Sequence, residues 1–445
     1  MKRILLRGTK EPFDIATPQA TLERKLIADN SGNLVFLEAA YKLLSTPGTE
    51  VVVDHLRIEP RDADRINAEF DAYVLPFANA FRLTYDVWMV RMTELLKRLR
   101  IPVVILGIGA QANLDYKLDR LRPIEPTAKA FVRAILDHGP SIGVRGELTE
   151  TYVRSLGFSD VDVIGCPSMF LWGDRLRIEK RRPRLERDAR IAMNVSPYVR
   201  RMGSIVMANL ERYPNLTYVA QDRDTLELLV WGEGRSEAAE TSDVPIHLSH
   251  PLFEEDRTRL YIDPWPWLAD LRAADFAFGT RIHGNITALL AGTPAYVLAH
   301  DSRTLELARY FDIPHRTIPN VPPDVDAATL YDEADYGWLN DGHAARFAVF
   351  TEYLHRHGLE HAFEAGGAAE FDARIAHLAF PPALRVSTRE ADPGSARARL
   401  QRLRYRIFRL RRTRGVRWLR SAVVRRTRWL ARATPRSLTR RGLRS

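Results

Sequence analysis

The chain has 445 residues, which is more than one ordinary hydrophobic core and therefore predicts more than one domain. A hydrophobic content of 45% with 27% charged residues indicates a globular protein, and the single cysteine, Cys166, excludes an internal disulfide and a cysteine metal cluster. The net charge of +10 is uneven: residues 395–445 hold 19 arginines and no lysine or acid, which leaves −9 for the residues before them. This asymmetry predicts an anionic partner for the C-terminal segment alone.

The first part of the chain alternates strand and helix patterns. The N-terminal apolar run, residues 4–6, is too short for a signal-peptide core and is interpreted as part of the first strand, so a cytoplasmic protein is expected. Predicted strands lie at 2–6, 51–56, 72–76, 102–108, 141–144 and 161–164, and predicted helices at 33–44, 85–100, 126–136 and 147–156. This alternation predicts a doubly wound α/β domain over residues 1–172.

A charged stretch with little apolar content, residues 173–188, is interpreted as a linker to a second α/β series. In that series, strands are predicted at 189–193, 216–220 and 245–248, and helices at 201–212, 222–231, 341–357 and 367–378. The pattern predicts a second α/β domain over residues 189–380.

The most informative stretch is residues 275–314 of this second domain. An apolar run at 275–278 predicts a strand, residues 281–285 a turn, 286–291 a short helix, 294–298 the next strand, and 299–303 a second turn. Strand, helix and strand at this spacing form a βαβ unit with parallel strands. Both turns therefore open at the carboxyl edge of one sheet, where open α/β sheets bind ligands.

The composition of the two turns suggests an anionic ligand. A helix start offers unpaired N–H groups and a positive dipole end, and Gly284 permits close approach of the backbone. Arg281 and Arg303 supply cationic side chains, and His283 is suited to proton transfer near neutral pH. A structural histidine and two surface arginines are the alternative interpretation.

The block RIHG followed by NITALLAGTPAYVLAHDSRTLELARYFDIP resembles the signature region of the polysaccharide pyruvyl transferase family. The resemblance implies two Rossmann-like domains that face each other across a cleft, as in glycosyltransferase-B enzymes, with the acceptor side in the first domain and the donor site in the second. It also implies transfer of a pyruvyl group from phosphoenolpyruvate to two sugar hydroxyls, which forms a ketal on a cell-surface polysaccharide or exopolysaccharide of the cell envelope, or on its lipid-linked precursor. No metal or organic cofactor is implied.

The same resemblance assigns roles in the donor site. His283 becomes the general acid that protonates phosphoenolpyruvate as an imidazolium, while Arg281, Arg303, Gly284 and Asn285 hold the donor's carboxylate and phosphate. Arg145, which follows the strand at 141–144, matches an arginine of the family and is assigned to the donor's carboxylate or phosphate as well. The chain departs from the family pattern at Gly146, where an Asp is usual, and at Arg303, where Lys is frequent.

Further residues are predicted to line the cleft, on weaker grounds. Asn30, Gly32 and Asn33 fall on a family loop, with Asn33 in place of an Asp and Asn30 or Ser31 as the helix N-cap. Gly109 and Gln111 belong to a G-x-G-x-x-A run after a strand, but no helix opens there at once, which argues against a nicotinamide site.

Three other features are explained at least as well by a structural role as by a functional one. Trp265 offers a face for sugar stacking or anchors a loop to the core. The histidines at 355, 357 and 361 and Glu360 are candidate metal ligands, and His357 and His361 are placed on one helix face. Gly358 interrupts this run, so no metal site is predicted. Cys166 is interpreted as buried packing.

The Arg-rich segment 395–445 is predicted to form a basic amphipathic helix with Trp418 and Trp429 among its arginines. An anionic membrane surface is the favoured partner, which would place the protein at the inner face of the cytoplasmic membrane. Nucleic acid is less favoured, and a tail that binds nothing specific is the third interpretation. For the whole chain, the alternatives are a nucleotide-sugar-dependent glycosyltransferase and a non-catalytic, membrane-attached scaffold.

Overall fold

The described strands form a four-stranded parallel sheet and a parallel pair in the N-terminal half (residues 1–172) and a six-stranded parallel sheet in the C-terminal half (residues 189–380). The computed structural model describes residues 1–232 and 242–387, and the predicted basic segment lies outside this range. The strands are β1 (Lys2–Leu6), β2 (Thr49–Val53), β3 (Ala72–Pro76), β4 (Val103–Leu106), β5 (Ile142–Val144), β6 (Val161–Val163), β7 (Ile191–Asn194), β8 (Leu216–Ala220), β9 (Thr258–Leu260), β10 (Phe276–Gly279), β11 (Ala295–Ala299) and β12 (His315–Thr317).

Helices cover both sheets. They are α1 (Pro18–Arg24), α2 (Gly32–Leu44), α3 (Ala63–Glu69), α4 (Asp86–Leu96), α5 (Glu125–Leu136), α6 (Glu147–Ser155), α7 (Met202–Arg212), α8 (Arg223–Trp231), α9 (Pro251–Glu254), α10 (Pro264–Leu271), α11 (Ile282–Leu290), α12 (Ser302–Tyr310), α13 (Ala327–Glu333), α14 (Gly337–Arg356), α15 (Ala362–Ala365) and α16 (Gly367–Ala376). Because helices lie on the sheet faces, inner strands such as β3 are buried along their whole length and have uninterrupted apolar sequences.

Each half has the strand order of a doubly wound sheet. The N-terminal sheet runs β2-β1-β3-β4, and a parallel bridge between Ile108 and Val144 connects β4 to the β5-β6 pair. The C-terminal sheet runs β12-β11-β10-β7-β8-β9, and all its pairings are parallel. The chain enters that sheet at β7, builds β8 and β9 on one side, and then crosses to β10 on the other. The ends of β7 and β10 therefore mark the topological switch point, where doubly wound sheets bind ligands.

The last helices return to the N-terminal half. The hydroxyl of Tyr353 on α14 donates to the carbonyl of Ile105 at 2.7 Å and accepts from the amide of Gly143 at 3.0 Å. Lys42 on α2 contacts Asp372 on α16 at 2.7 Å. These bonds tie the two halves together, and residues Met1–Arg389 form one compact unit.

The predicted α/β class with parallel sheets is confirmed, and most predicted elements are present with ends shifted by a few residues. One predicted strand is wrong: residues 245–248 form a turn, in which the amide of Ile246 donates to the carbonyl of Val244 at 2.8 Å. The edge strand is instead β9, whose sequence Thr-Arg-Leu is too short and too polar to show a strand pattern.

The helical boundary at the informative stretch also differs from prediction. Residues 282–285 were predicted as a turn, but they are the first turn of α11, with Arg281 as its N-cap residue. Among the described residues, no helix combines the length and the apolar character needed to cross a bilayer.

Candidate active site

Two asparagines fix the start of α11 at the switch point of the C-terminal sheet. Asn194, at the end of β7, accepts from the amide of Arg281 at 2.7 Å and donates to Asn285 Oδ1 at 3.1 Å. Asn285 in turn donates to the carbonyls of Gly279 and Arg281, each at 3.1 Å. The side chain of Asn285, predicted as a donor ligand, is therefore engaged in holding the turn, which leaves the backbone of α11 to meet a ligand.

Gly284 is required by close packing against two side chains. A Cβ atom at this position would lie 2.4 Å from Gln221 Nε2 and 2.9 Å from Asn194 Cγ. Gln221, which directly follows β8, is buried, and its two amide atoms have no hydrogen-bond partner among the described residues. A buried amide without a partner is costly, so Gln221 is available to a ligand at the start of α11.

The N-terminal half closes over His283. A Cβ atom on Gly32 would lie 2.6 Å from His283 Cβ, so only glycine fits at this first residue of α2. The ring of Phe36 lies 6.1 Å from the imidazole ring, and Cys166 Sγ lies 3.7 Å from His283 Nε2. The side chain is half-buried between the two halves of the protein.

The electrostatic surroundings of His283 favour the neutral imidazole. Burial, followed by the charges of Arg145 and Arg303, lowers the pKa of His283 to about 3. The positive end of α11 acts in the same direction. Without a ligand, the imidazole is therefore uncharged near pH 7, whereas an imidazolium was expected from the sequence.

Arg145 is a buried cation whose charge is not balanced by an adjacent carboxylate in residues 1–232 and 242–387. Its side chain is 2% exposed and reaches the carbonyls of Gly107 and Phe77 at 3.3–3.4 Å. No carboxylate of the described residues lies within ion-pair distance of Arg145, and burial lowers its pKa. Gly109 makes room for it, since a Cβ there would lie 2.4 Å from Arg145 Nε. A buried guanidinium in this state favours an anionic ligand.

The other two predicted cations differ in how far they are neutralised. Arg303 pairs with Asp301 at 2.5 Å; burial alone would lower the pKa of Arg303, but this carboxylate raises it. Arg281 forms no salt bridge with a described residue, its buried Nε has no hydrogen-bond partner there, and its guanidinium lies 5.9 Å from the Tyr198 ring. Arg281 is thus the freer cation of the two.

The structure explains how Gly146 can replace the Asp that is usual at this position in the family. Glu306 on α12 fills the space beside Gly146, where a Cβ would lie 2.4 Å from Glu306 Cγ. Its carboxylate accepts from the amide of Thr149 at 2.7 Å and from the Thr149 hydroxyl at 3.1 Å. An N-cap Asp at 146 would bond the same amide, so Glu306 caps α6 from the opposite half of the protein.

This cap provides a stability prediction. Replacing Glu306 with alanine should reduce the free energy of unfolding by about 1–2 kcal/mol, the usual cost of losing an N-cap. Glu211→Ala, at an exposed glutamate of α7, is the matched control and should have little effect. Adding Gly146→Asp to Glu306→Ala should restore most of the loss in urea unfolding. A double variant no more stable than Glu306→Ala would show that capping is not the role of Glu306.

The residues that were predicted on weaker grounds to line the cleft lie in two separate parts of the structure. Asn30 Oδ1 accepts from the amide of Gly32 at 2.7 Å and Asn33 donates to the carbonyl of Ile27 at 3.2 Å, so both shape the loop against His283. Ser31 precedes α2 but makes no capping bond through its side chain. Trp265 is elsewhere, with its ring centroid 6.1 Å from that of Trp172, where it packs between helices.

A cavity of about 820 Å³ has walls from both halves and contains Asp301, the ion-pair partner of Arg303. Of the predicted residues it contains only Gln111, which accepts from Asn79 at 3.0 Å. Arg82, Tyr198 and His300 also line it and were not predicted. Arg82 and Tyr198 lie in loops without a recognisable motif, and His300 lies in the predicted turn at 299–303, where only Arg303 was selected. Burial lowers the pKa of His300 to about 4.

The histidines near the end of α14 are arranged differently from expectation. α14 ends at Arg356, and His357 is buried with Nε2 at 3.0 Å from the carbonyl of Ser141, so His357 and His361 do not share a helix face. His355 and His361 instead both contact Glu364, at 2.9 and 3.1 Å. The ligand atoms of these three residues lie within 4.8 Å of one another, a spacing compatible with a metal ion.

The fold and the site define an α/β protein with a cluster of arginines and a histidine at the switch point of its second parallel sheet. The family model for polysaccharide pyruvyl transferases matches residues 30–302, and the chain belongs to this family. No curated protein matches the chain.

Among solved structures, the chain is similar to S. aureus MnaA solved with UDP, at 14% identity and a TM-score of 0.43, over 81% of this chain and 98% of that one. It is also similar to UDP-GlcNAc 2-epimerase from Neisseria meningitidis bound to UDP-GlcNAc, at 13% identity and a TM-score of 0.36, over 84% and 99% of the two chains. A third similar structure is UDP-GlcNAc 2-epimerase from Methanocaldococcus jannaschii, at 11% identity and a TM-score of 0.40, over 84% of this chain and 99% of that one.

Proposed function

We propose that the protein transfers a pyruvyl group from phosphoenolpyruvate to two hydroxyls of a sugar in a cell-surface polysaccharide or its lipid-linked precursor. The observation that supports this most is a pair of arginines, Arg145 and Arg281, beside the half-buried His283. Neither arginine has a carboxylate partner within the part of the chain that the structure describes. Phosphoenolpyruvate carries a carboxylate and a phosphate, so it offers one anionic group to each guanidinium.

The proposed reaction needs neither oxidant nor water. The methylene carbon of phosphoenolpyruvate gains a proton, and the adjacent carbon becomes an electrophile that two sugar hydroxyls attack in turn. Its bond to the phosphate oxygen breaks during this sequence. The two sugar hydroxyls release one proton each. One of these compensates for the proton taken up by the new methyl group, and the other leaves on the phosphate. Arg281, Arg303 and the first amides of α11 would stabilise the departing phosphate.

The neutral state of His283 sets a condition on its role. A group with a pKa of about 3 is a poor proton donor near neutral pH because almost none of it is protonated. The negative charges of bound phosphoenolpyruvate oppose Arg145 and Arg303 and raise this pKa. Donor binding would therefore convert His283 from a neutral imidazole to the general acid, which limits protonation to the donor complex.

The proposal is tested by thermal melting of the full chain with a panel of donors. Phosphoenolpyruvate should raise the Tm, whereas UDP- and GDP-sugars should not. At a hundredfold excess over Kd, a ligand stabilises by about 2.7 kcal/mol, which is readily measured. Protection by a nucleotide sugar alone would favour a glycosyltransferase. Protection by phosphoenolpyruvate without phosphate release on any glycan would favour the non-catalytic scaffold.

A further inference from the structure

The cavity next to the donor site is built by two sets of loops that face each other. Residues 82–84, 111–115 and 120–121 line it from the N-terminal half, and Tyr198, Val199, His300, Asp301, Ile318 and Pro319 from the C-terminal half. Asp301 holds Arg303, so a molecule in the cavity reaches the edge of the donor site. A volume of about 820 Å³ is ample for one or two sugar rings.

One partly buried charge in this cavity, that of Arg82, has no ion-pair partner among the described residues. The guanidinium of Arg82 packs over the ring of Tyr85 at 4.9 Å, and its buried Nε has no hydrogen-bond partner among the described residues. Arg82 also forms no salt bridge in that part of the chain. Burial lowers the pKa of Arg82, and the nearby charge of Arg303 lowers it further.

The other charged groups of the lining are either paired or exposed. Asp301 pairs with Arg303, and Asp115 contacts Lys117 at 3.2 Å. The exposed Arg120 donates to the side chain of Asn113. The unbalanced charge of the cavity is therefore positive: Arg120 supplies it at the exposed rim, and Arg82 supplies the partly buried charge.

The cavity also offers surfaces that suit a sugar. Tyr198 is 58% exposed, and its hydroxyl lies 3.2 Å from His300 Nε2 and 3.4 Å from Arg303. Its ring is thereby held in place at the boundary between cavity and donor site. An amphipathic ring of this kind presents an apolar face to a sugar.

We propose that this cavity is the acceptor site and that the acceptor is an anionic saccharide, whose phosphate or carboxylate pairs with Arg82. The inference rests on the proposed function, since it assumes that phosphoenolpyruvate occupies the neighbouring arginines. It adds a selection rule: the site favours a sugar that carries a negative charge near the hydroxyls to be modified. A diphosphate-linked carrier and an acidic sugar residue would both satisfy it.

The test measures binding of three probes to the full chain by calorimetry, with phosphoenolpyruvate at saturation to block the donor site. Glucose 1-phosphate and glucuronate represent the phosphate and the carboxylate, and methyl glucoside is the neutral probe. At least one anionic probe should bind about tenfold more tightly than methyl glucoside, as expected for one charge-assisted contact. The stronger of the two identifies the source of the charge.

Variants assign the preference to Arg82. Arg82→Gln should abolish it, while Arg57→Gln, at an exposed arginine of the same half outside the cavity, should retain it. Leu83→Asp adds a negative charge at an exposed position of the lining and should weaken the anionic probes relative to Leu83→Asn. A preference that survives in Arg82→Gln and Leu83→Asp, or no preference in the wild type, overturns the inference. Failure of phosphoenolpyruvate itself to bind would instead reject the proposed function.

Discussion

Replacing His283 with alanine should abolish turnover while donor binding is largely kept. The loss should be about 10²–10⁴-fold in kcat, the usual contribution of a positioned acid. Binding should persist because the carboxylate and phosphate are held by arginines, and removing the imidazole leaves Arg145 and Arg281 in place. Phosphate release in the presence of glycan acceptor measures turnover, and the melting shift with phosphoenolpyruvate measures donor binding.

The controls for His283 are a matched histidine and the pH dependence. His377→Ala, at an exposed histidine of the C-terminal half, should behave as wild type. In the free protein, His283 has a pKa of about 3, so its conversion to the acid requires proton uptake when the donor binds. Activity in the donor complex should be present below the raised pKa and lost as the pH increases through it. Wild-type turnover in His283→Ala would rule out the acid role.

Replacing Arg281 with alanine should weaken donor binding by about 10–100-fold, because a charge-assisted contact with an anion contributes roughly 1.5–3 kcal/mol. Arg281 has no carboxylate among the described residues to satisfy it, so its guanidinium is free to bind the donor. The measurement is the Kd of phosphoenolpyruvate by calorimetry, and Arg187→Ala, at an exposed arginine of the segment 173–188, is the control.

Arg303 provides an internal comparison for this second prediction. Because Asp301 already neutralises much of its charge, Arg303→Ala should weaken phosphoenolpyruvate less than Arg281→Ala does. Equal losses in both variants would show that the Asp301 pair opens when the donor binds. An unchanged Kd in Arg281→Ala would remove Arg281 from the donor site.

The sequence was sufficient to predict the regular parts of the fold because they depend on local apolar patterns. β8 has the predicted bounds, Leu216–Ala220, and β3 likewise spans Ala72–Pro76. The pattern failed at 245–248, where an apolar run containing Pro245 forms a turn, and at β9, which pairs with β8 despite its polar sequence.

The site was predictable only where a residue lies on the motif itself. The positions of Arg145 and His283 followed from strand ends, but the partners that tune them are distant in sequence. Glu306 replaces a cap that Gly146 lacks, and Arg82 faces the cavity from a loop without a motif. The neutral state of His283 could not be predicted from the sequence either, because burial between the two halves is a tertiary property that no local pattern encodes.

The most direct test of the account is the reaction in D₂O with phosphoenolpyruvate and a lipid-linked glycan extract, followed by NMR of the modified sugar. Acid catalysis by His283 on the donor's methylene carbon predicts a ketal whose methyl group carries one deuterium, and no such ketal with His283→Ala. Release of free pyruvate without a ketal, or a ketal formed equally by His283→Ala, would contradict it.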